Sequence, residues 1–535
     1  MRLTAESTPH PSGPGPHHRR SVLVQMTVLG VILTAGSAFR LDGLADRPFW
    51  FDEAYAWRTA QYSPGEIWDR LRSDNSPPLY WTALRYWMGA FGESPAALRS
   101  FSVVSGLAAV VGVWLFVREL LAGPLCRTSI VSRQEIVWGP LLAAALVALS
   151  PIQVRYSWEC RMYAMGVAFA TFSSWAMVRA MDPDRPRWGR WLVFAGIATL
   201  FAYTHAFATL TIAAQVGIVG WWLCEQAGGS PRRVIRQPSF GPAVAAFAAV
   251  AVAFVPWVPN LLHQSDAMLG LGWIPPLTTY HQVLGTAFQL VAFDASQSQT
   301  VLADARMGLV LIGFVALAIR RGRWAGGVPL ALFLGPVLLA IGLCFAGKQV
   351  FLDRYLIFAQ PFLLAVIAVS IARIRHPVLL VSAAITVVTV SAYWCADASQ
   401  HMDLPNHPGH RGAARYLDDH RAPGDVILCG RGNSYFPVLY HLADRSATFA
   451  VTQPEGWVAG DWMLDKPREV MRDTRIPELR VSRAWVVNHL SGNKLVMPVP
   501  VPTTWTEVSR VSFPDVFRME TVVVTEYRLP APQQP

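Results

Sequence analysis

The strongest constraint on this chain is a phase relation between apolar runs and arginines. About eleven apolar runs stand at roughly 21–40, 97–117, 136–150, 162–179, 190–207, 209–225, 240–261, 301–319, 327–346, 355–372 and 377–396. Most are long enough to cross the roughly 30 Å hydrocarbon core of a bilayer as helices. Every second connector is rich in arginine. Arg19 and Arg20 precede the first run, and Arg118, Arg127 and Arg133 follow the second. Arg179, Arg185, Arg187 and Arg190 follow the fourth, and Arg232, Arg233 and Arg236 the sixth. Arg320, Arg321 and Arg323 follow the eighth, and Arg373 and Arg375 the tenth. Cytoplasmic loops carry the Lys/Arg excess, so this alternation predicts a cytoplasmic N-terminus and an outer C-terminal tail. One missed run would break the phase.

A backbone in lipid must satisfy its own hydrogen bonds, which leaves helices or closed barrels. Runs of this length predict helices: a mainly α, polytopic membrane protein with about eleven transmembrane helices. The 15% charged residues, against about 25% in soluble domains, agree. The net charge of +10 does not imply nucleic acid, because the basic residues are spread over connectors and form no single patch.

Three regions follow. Residues 1–20, rich in Pro, Gly, Ser and His, lack the apolar content to fold. Residues 21–396 form the membrane domain, and the first run is expected to remain as an anchor because no small-residue cleavage site clearly follows it. Residues 397–535 predict a small extracytoplasmic α/β domain: "GHRGAARYLDDHR" reads as a helix, and Asp425–Cys429, "RAWVVNHL" and "METVVVTEYRL" read as strands. The six cysteines, Cys126, Cys160, Cys224, Cys344, Cys395 and Cys429, show neither metal spacing nor a disulfide framework.

The unusual residues gather in the outer connectors. The first, 41–96, is long and structured. "SPGE" at Ser63–Glu66 has the form of a capping box with proline at the first helical position. A second helix begins near Pro78, with Tyr80, Leu84, Trp87, Met88 and Phe91 on one face. Short aromatic amphipathic helices suit the membrane interface. Just above the first span stands "FWFDEAYAW", with Asp52 and Glu53. Arg155, Glu159, Arg161 and Tyr163 lie on the second outer connector, and His205 on the third, "YTHAF". The fifth, "GKQVFLDRYLIF", carries Lys348, Asp353, Arg354 and Tyr355. Lys348 is the only lysine before residue 466.

Charges at membrane depth are costly and usually face a cavity or a partner. Here one side of the membrane gathers two acids and several cations. Three readings fit Asp52 and Glu53 at this point: a solvated loop pair, a site for a hard divalent cation such as Mg²⁺ or Mn²⁺, or a catalytic carboxylate. The cations suit a substrate with an anionic group, for which a phosphate at the membrane surface is the obvious choice. Arg161 could equally pair with Glu159 or Asp52, and Arg354 could snorkel to the interface.

"WFDEAYAWRTAQ", "DNSPPLYWTALRYWMGAFGESPAALR", "SWECRMYAM", "YTHAF" and "LDRYLIFAQPFLLA", in that order over residues 20–396, resemble the polyprenyl-phosphate-sugar-dependent glycosyltransferases of the GT-C fold. They resemble most the bacterial group similar to protein O-mannosyltransferases and the lipid A aminoarabinose transferase. The resemblance implies a cell-membrane enzyme. It would move a sugar from a polyprenyl-phosphate donor to an extracytoplasmic protein, lipid or glycan, inverting C1, with the bilayer holding the donor's tail. It marks Asp52 as the base with Glu53 beside it. Arg161, Tyr163, Asp353, Arg354 and Tyr355 would hold the donor and its phosphate, and His205 would be a substrate contact; beside the resemblance, the residues themselves add Lys348 as a further phosphate-binding cation and Tyr80 as a candidate substrate contact. It names no resident metal ligand. The chain departs at "WEC", where the family pattern has a small residue in place of Cys160, which loosens the carry-over to Glu159. A transporter of lipid-linked sugars, or a polymerase or ligase using a lipid diphosphate, are the alternative classes.

Overall fold

The computed structural model describes residues 16–74, 76–126, 131–184, 187–269, 274, 276–292, 324–400, 406–452, 463–491, 494–496, 498–515 and 520–530. The apolar run at 301–319 lies outside them. Each of the other ten coincides with a helix. In chain order the first ten helices are α1 (Pro16–Leu41), α2 (Phe51–Ala60), α3 (Pro64–Arg70), α4 (Leu79–Phe91), α5 (Pro95–Ala122), α6 (Arg133–Ala148), α7 (Pro151–Ser157), α8 (Tyr163–Ala180), α9 (Trp188–Ala202) and α10 (Ala208–Gln226).

Among the described residues, six helices are long and apolar enough to cross a membrane, seven if the bent pair α6–α7 counts as one. The expected number of about eleven is therefore not reached by length and composition alone. α9 stops at Ala202, short of the expected 207, and with Gln360–Ala372 it is apolar but brief. The helix Pro377–Gln400 turns Val378, Leu379, Val381 and Ile385 outward. A patch of that extent is tolerated where lipid covers it, and the protein is a multi-pass membrane protein.

α5 is the central helix, packing on α1, α4, α6, α7 and α8. Small residues let it come close: a Cβ on Gly112 would stand 2.2 Å from Thr171 Oγ1 of α8. The run 136–150 is not one straight span. Ser150 and Pro151 break it, and α7 leaves α6 at 56°. Proline suits the first position of a new helix and cannot donate into the old one. The break leaves carbonyls at the end of α6 without intrahelical donors. Arg40, fully buried on α1, fills that need, donating to Ala148 O at 2.6 Å, to Val147 O at 3.4 Å and to Ser157 Oγ at 3.1 Å. The knot closes only because α5 has Gly106 there. A Cβ at 106 would lie 2.3 Å from Ser157 Oγ and 3.1 Å from Arg40 Nε. Gly106→Ala is thus expected to cost about 1–3 kcal/mol by overpacking. Thermal unfolding of the solubilised protein checks it, and an unchanged midpoint would refute the tight crossing.

The tail forms a seven-stranded sheet from β1 (Val426–Gly430), β2 (Thr448–Thr452), β3 (Val470–Arg472), β4 (Arg483–Ser491), β5 (Lys494–Val496), β6 (Thr506–Pro514) and β7 (Glu520–Arg528). Its order is β3-β2-β1-β4-β7-β6, with β5 on β4. The β3-β2-β1-β4 part is parallel, and β4-β7-β6 is antiparallel. The helix Gly409–His420 stands where "GHRGAARYLDDH" predicts one. This domain sits directly on the connector 41–96. Phe49 stacks on Tyr440 at 4.2 Å, its N–H donates to His441 Nε2 at 3.1 Å, and Tyr62 Oη donates to Met463 O at 2.6 Å. The first connector and the tail therefore share one side of the membrane.

Candidate active site

α2 starts nine residues after α1, and its first turn carries both Asp52 and Glu53. Trp50, extended, offers no side-chain cap; its carbonyl accepts from the Glu53 and Ala54 N–H groups at 3.1 and 3.0 Å. Two carboxylates suit the positive end of a helix dipole. They then part company, because neighbours in a helix point about 100° apart.

Glu53 turns inward and is completely buried. Arg99 of α5, also completely buried, grips it with two hydrogen bonds of 2.7 Å, Nε to Oε1 and Nη2 to Oε2. Oε1 also accepts the Cys160 N–H at 3.0 Å. Arg99 spends its other donors on Leu44 O, Arg47 O and Pro48 O at 2.8, 2.9 and 3.1 Å. One fork–fork pair thus fastens three segments: the start of α2, the connector 44–48 and the turn 158–162. The structure places Glu53 in this clamp, behind the carboxylate of Asp52. Arg99 was not singled out in the sequence, although an arginine entering an apolar helix was a legible signal.

Asp52 faces the other way and keeps 18% of its side chain exposed. Arg161 Nε lies 3.9 Å from its Oδ2. The guanidinium of Arg161 is nearly buried, its Nε has no hydrogen bond among the described residues, and it lies over Trp81 with Cζ 5.2 Å from the ring centre. Arg354, Tyr163 and Asp74 are its further electrostatic neighbours, and Arg354 in turn feels Tyr163, Tyr355 and Asp52. Tyr163, His205 and Tyr355 form one aromatic wall, with ring centres 5.8 Å and 5.6 Å from His205. Phe207 stacks on Tyr355 at 4.5 Å. The turn "YTHAF" delivers His205 to that wall, with Nδ1 accepting the Phe207 N–H at 3.1 Å. Burial and, after it, Arg161 and Arg354 hold the imidazole down to about 3, so it is neutral and its Nε2 carries the proton.

The remaining expected residues are placed as follows. Asp353 is half-buried at the start of Asp353–Leu356, within electrostatic range of Tyr156. Lys348 is half-buried on the same connector, with its N–H donating to Leu343 O at 2.9 Å; its side chain is outside the set of contacts just given. Tyr80 is fully buried beneath the site, its hydroxyl 3.6 Å from Cys160 Sγ. The buried face of α4 is Tyr80, Trp81 and Leu84, while Phe91, expected on that face, is 60% exposed at the helix end. Among the described residues no group of three or more His, Cys, Asp or Glu side chains is placed to hold a metal ion.

Glu159 is the group whose proton is most sensitive. It lies in the turn between α7 and α8, 3.6 Å from Arg155 Nε. Burial pushes it up to about 7, Arg155 pulls it down, and Glu53 and Asp52 push it up again. A carboxyl held above its unfolded value keeps its proton in the native state as pH rises. Its stabilising share is full below about 4.5 and is lost as pH climbs to about 7. The wild-type protein is expected to lose up to about 3 kcal/mol between those limits, and Glu159→Gln should lose less. Thermal unfolding of both from pH 4.5 to 8 measures this, and parallel curves would rule it out.

The chain is thus a polytopic helical core whose first long connector presents a carboxylate toward cations on later connectors. Solved structures match over nearly the whole chain. ArnT from Cupriavidus metallidurans in the apo state aligns with a TM-score of 0.56 at 12% identity, covering 95% of this chain and 98% of that one. ArnT bound to undecaprenyl phosphate gives 0.52 at 13%, with the same coverage. The arabinofuranosyltransferase AftD from Mycobacteria gives 0.50 at 16%, covering 95% of this chain and 40% of its own. No family profile matches the chain, and no curated protein matches its sequence. At these identities the likeness is one of fold, and it fixes the architecture as GT-C.

Proposed function

We propose that the protein is a glycosyltransferase that takes a sugar from a polyprenyl-phosphate donor and transfers it to an extracytoplasmic acceptor, at the outer face of the cytoplasmic membrane. The observation that carries this reading is the partly exposed Asp52 set against the guanidinium of Arg161 and within range of Arg354. Undecaprenyl phosphate bound to a protein of the same fold supports a donor of this kind.

The acceptor hydroxyl attacks C1 while the C1–O bond to phosphate breaks, and the bonding pair leaves on the phosphate oxygen. Asp52 receives the acceptor's proton. A carboxylate is too weak to ionise an alcohol beforehand, so proton transfer comes late, as C1 gains oxocarbenium character. Arg161 and Arg354 stabilise the departing phosphate, and the neutral imidazole of His205 offers Nε2–H to a sugar oxygen. One displacement inverts C1. No step here passes through a divalent cation; Mg²⁺ or Mn²⁺ is the competing role for the carboxylates.

Mass spectrometry of cell-surface glycans, lipids and proteins, with and without the gene, tests the reading. One class of molecule should lose a single hexose or pentose, and an unchanged surface would overturn it. At the level of residues, Arg354→Ala is expected to weaken donor binding by about 1.5–3 kcal/mol, the worth of a charge-assisted hydrogen bond, and Lys348→Ala should follow if its side chain reaches the phosphate. Unchanged donor affinity in both variants would remove the phosphate role.

A further inference from the structure

Behind the reaction centre, on the opposite face of α2, the seam with the tail domain opens into a cleft of about 280 Å³. That is near the lower end of small-ligand sites, roughly 300 Å³, and suits one sugar-sized unit. α2 supplies Trp57 and Arg58, and Gln61 caps its C-terminal end; all three lie about 120–180° around the helix from Asp52. The tail supplies Tyr435, Arg445 and Glu469. A ligand here is separated from the reacting atoms by the width of a helix, roughly 10 Å, so the cleft is distinct from the donor site.

Its chemistry is specific. Three arginines, Arg58, Arg445 and Arg468, face a single acid, Glu469. Arg58 is largely buried: Nη1 donates to Gln61 Oε1 at 2.9 Å and Nη2 to Glu469 Oε2 at 2.8 Å, while Nε is buried and has no hydrogen bond among the described residues. A buried donor without an acceptor is costly, and an incoming oxygen would satisfy it. Arg445, exposed, holds its guanidinium over Trp57 with Cζ 4.8 Å from the ring centre. The unpaired Nε–H of Arg58 and the exposed guanidinium of Arg445 can converge on one carboxylate, and the amide of Gln61 can pair with a hydroxyl.

We infer that this cleft binds an anionic saccharide, a carboxylate-bearing sugar unit held by Arg58 and Arg445. That the saccharide is a remote part of the acceptor rests on the transferase reading above; the binding does not. Because the tail domain closes one wall of the cleft, a ligand seated there would also tie that domain to the helix that carries Asp52.

The test uses the full-length protein in nanodiscs and measures binding directly, by thermophoresis or saturation-transfer NMR. The probes are digalacturonate, a neutral disaccharide of the same size, and inorganic phosphate. Digalacturonate should bind, the neutral sugar should bind at least tenfold more weakly, and Arg445→Ala and Arg58→Gln should each weaken digalacturonate at least fivefold. Arg445 is exposed, so its variant should keep the wild-type melting temperature and report on binding alone. No binding of digalacturonate at about 10 mM, ten times the Kd of a weak millimolar site, would overturn the inference. So would equal affinity in Arg445→Ala and wild type, or binding of phosphate without any saccharide. None of these outcomes touches the transferase reading, which fails separately if cell-surface glycans, lipids and proteins are unchanged without the gene.

Discussion

Asp52→Asn is expected to lower the rate of sugar transfer by about 10²–10⁴, the usual worth of a positioned acid–base group, with donor affinity barely changed. Asparagine keeps the size and the place at the first turn of α2 but cannot take a proton from an acceptor hydroxyl. The competing readings of this carboxylate predict otherwise. A solvated loop pair would leave turnover intact, yet Asp52 stands 3.9 Å from a nearly buried guanidinium and within the field of another, which a loop charge has no reason to do. A metal ligand would lose activity that excess Mn²⁺ restores. Against that stands the geometry, since the neighbouring carboxylate of Glu53 is already fully engaged by Arg99 and the Cys160 N–H, and hard cations need several oxygens. A transfer assay with purified enzyme, with and without Mn²⁺ and beside a donor-binding measurement, separates the three. Wild-type turnover in the variant would remove Asp52 from catalysis.

What could be read in advance was whatever a local rule or a period writes into the chain. Apolar runs place ten helices because lipid leaves the backbone no other way to satisfy itself. "SPGE" makes the capping box it promises, with Ser63 and Glu66 bonded both ways. The alternation of "VILCG" and "RAWVVNHL" with helical segments predicts a sheet, and both segments are strands in it. Outer-loop charges could be gathered in advance as well, since Asp52, Arg161, Tyr163, His205, Arg354 and Tyr355 do form one cluster. What could not be read was direction. Asp52 and Glu53 are adjacent in sequence and similar in chemistry, and only the packing of α2 on α4 and on the tail helix Arg431–His441 decides that one faces the cleft and the other Arg99, 46 residues away. The same holds for the α6–α7 break. Ser150 and Pro151 are visible, but the 56° bend and the Arg40 grip that sustains it depend on two other helices, α1 and α5. The span count is blurred for a related reason: α9 and Gln360–Ala372 are too short to stand alone by length, and their place in the bundle comes from neighbours.

The second large effect concerns that clamp. Arg99→Ala is expected to destabilise the protein by about 3–5 kcal/mol, the cost of leaving one partner of a buried ion pair uncompensated. The loss reaches beyond Glu53. Arg99 also closes Leu44, Arg47 and Pro48 through their carbonyls, so the connector that sets the height of α2 loses its anchor as well. Glu53→Gln is the sharper test. It keeps the size and one acceptor oxygen, so the Cys160 N–H can still be satisfied, but it removes the charge that matches the guanidinium. Arg99 then remains buried without a counter-ion. If the pair serves to hold Asp52 toward the cleft, Glu53→Gln should lower turnover at saturating donor while donor affinity stays near wild type. If Glu53 itself touches the acceptor, the Michaelis constant for the acceptor should rise instead. The double variant Glu53→Gln, Arg99→Met removes both charges and fills the space with an apolar chain, which buried pairs often tolerate. It should recover much of the stability lost in Arg99→Ala. Unfolding midpoints of Glu53→Gln, of Arg99→Met and of the double variant close the cycle and give the coupling, and additive losses would show that Glu53 and Arg99 do not act as a unit.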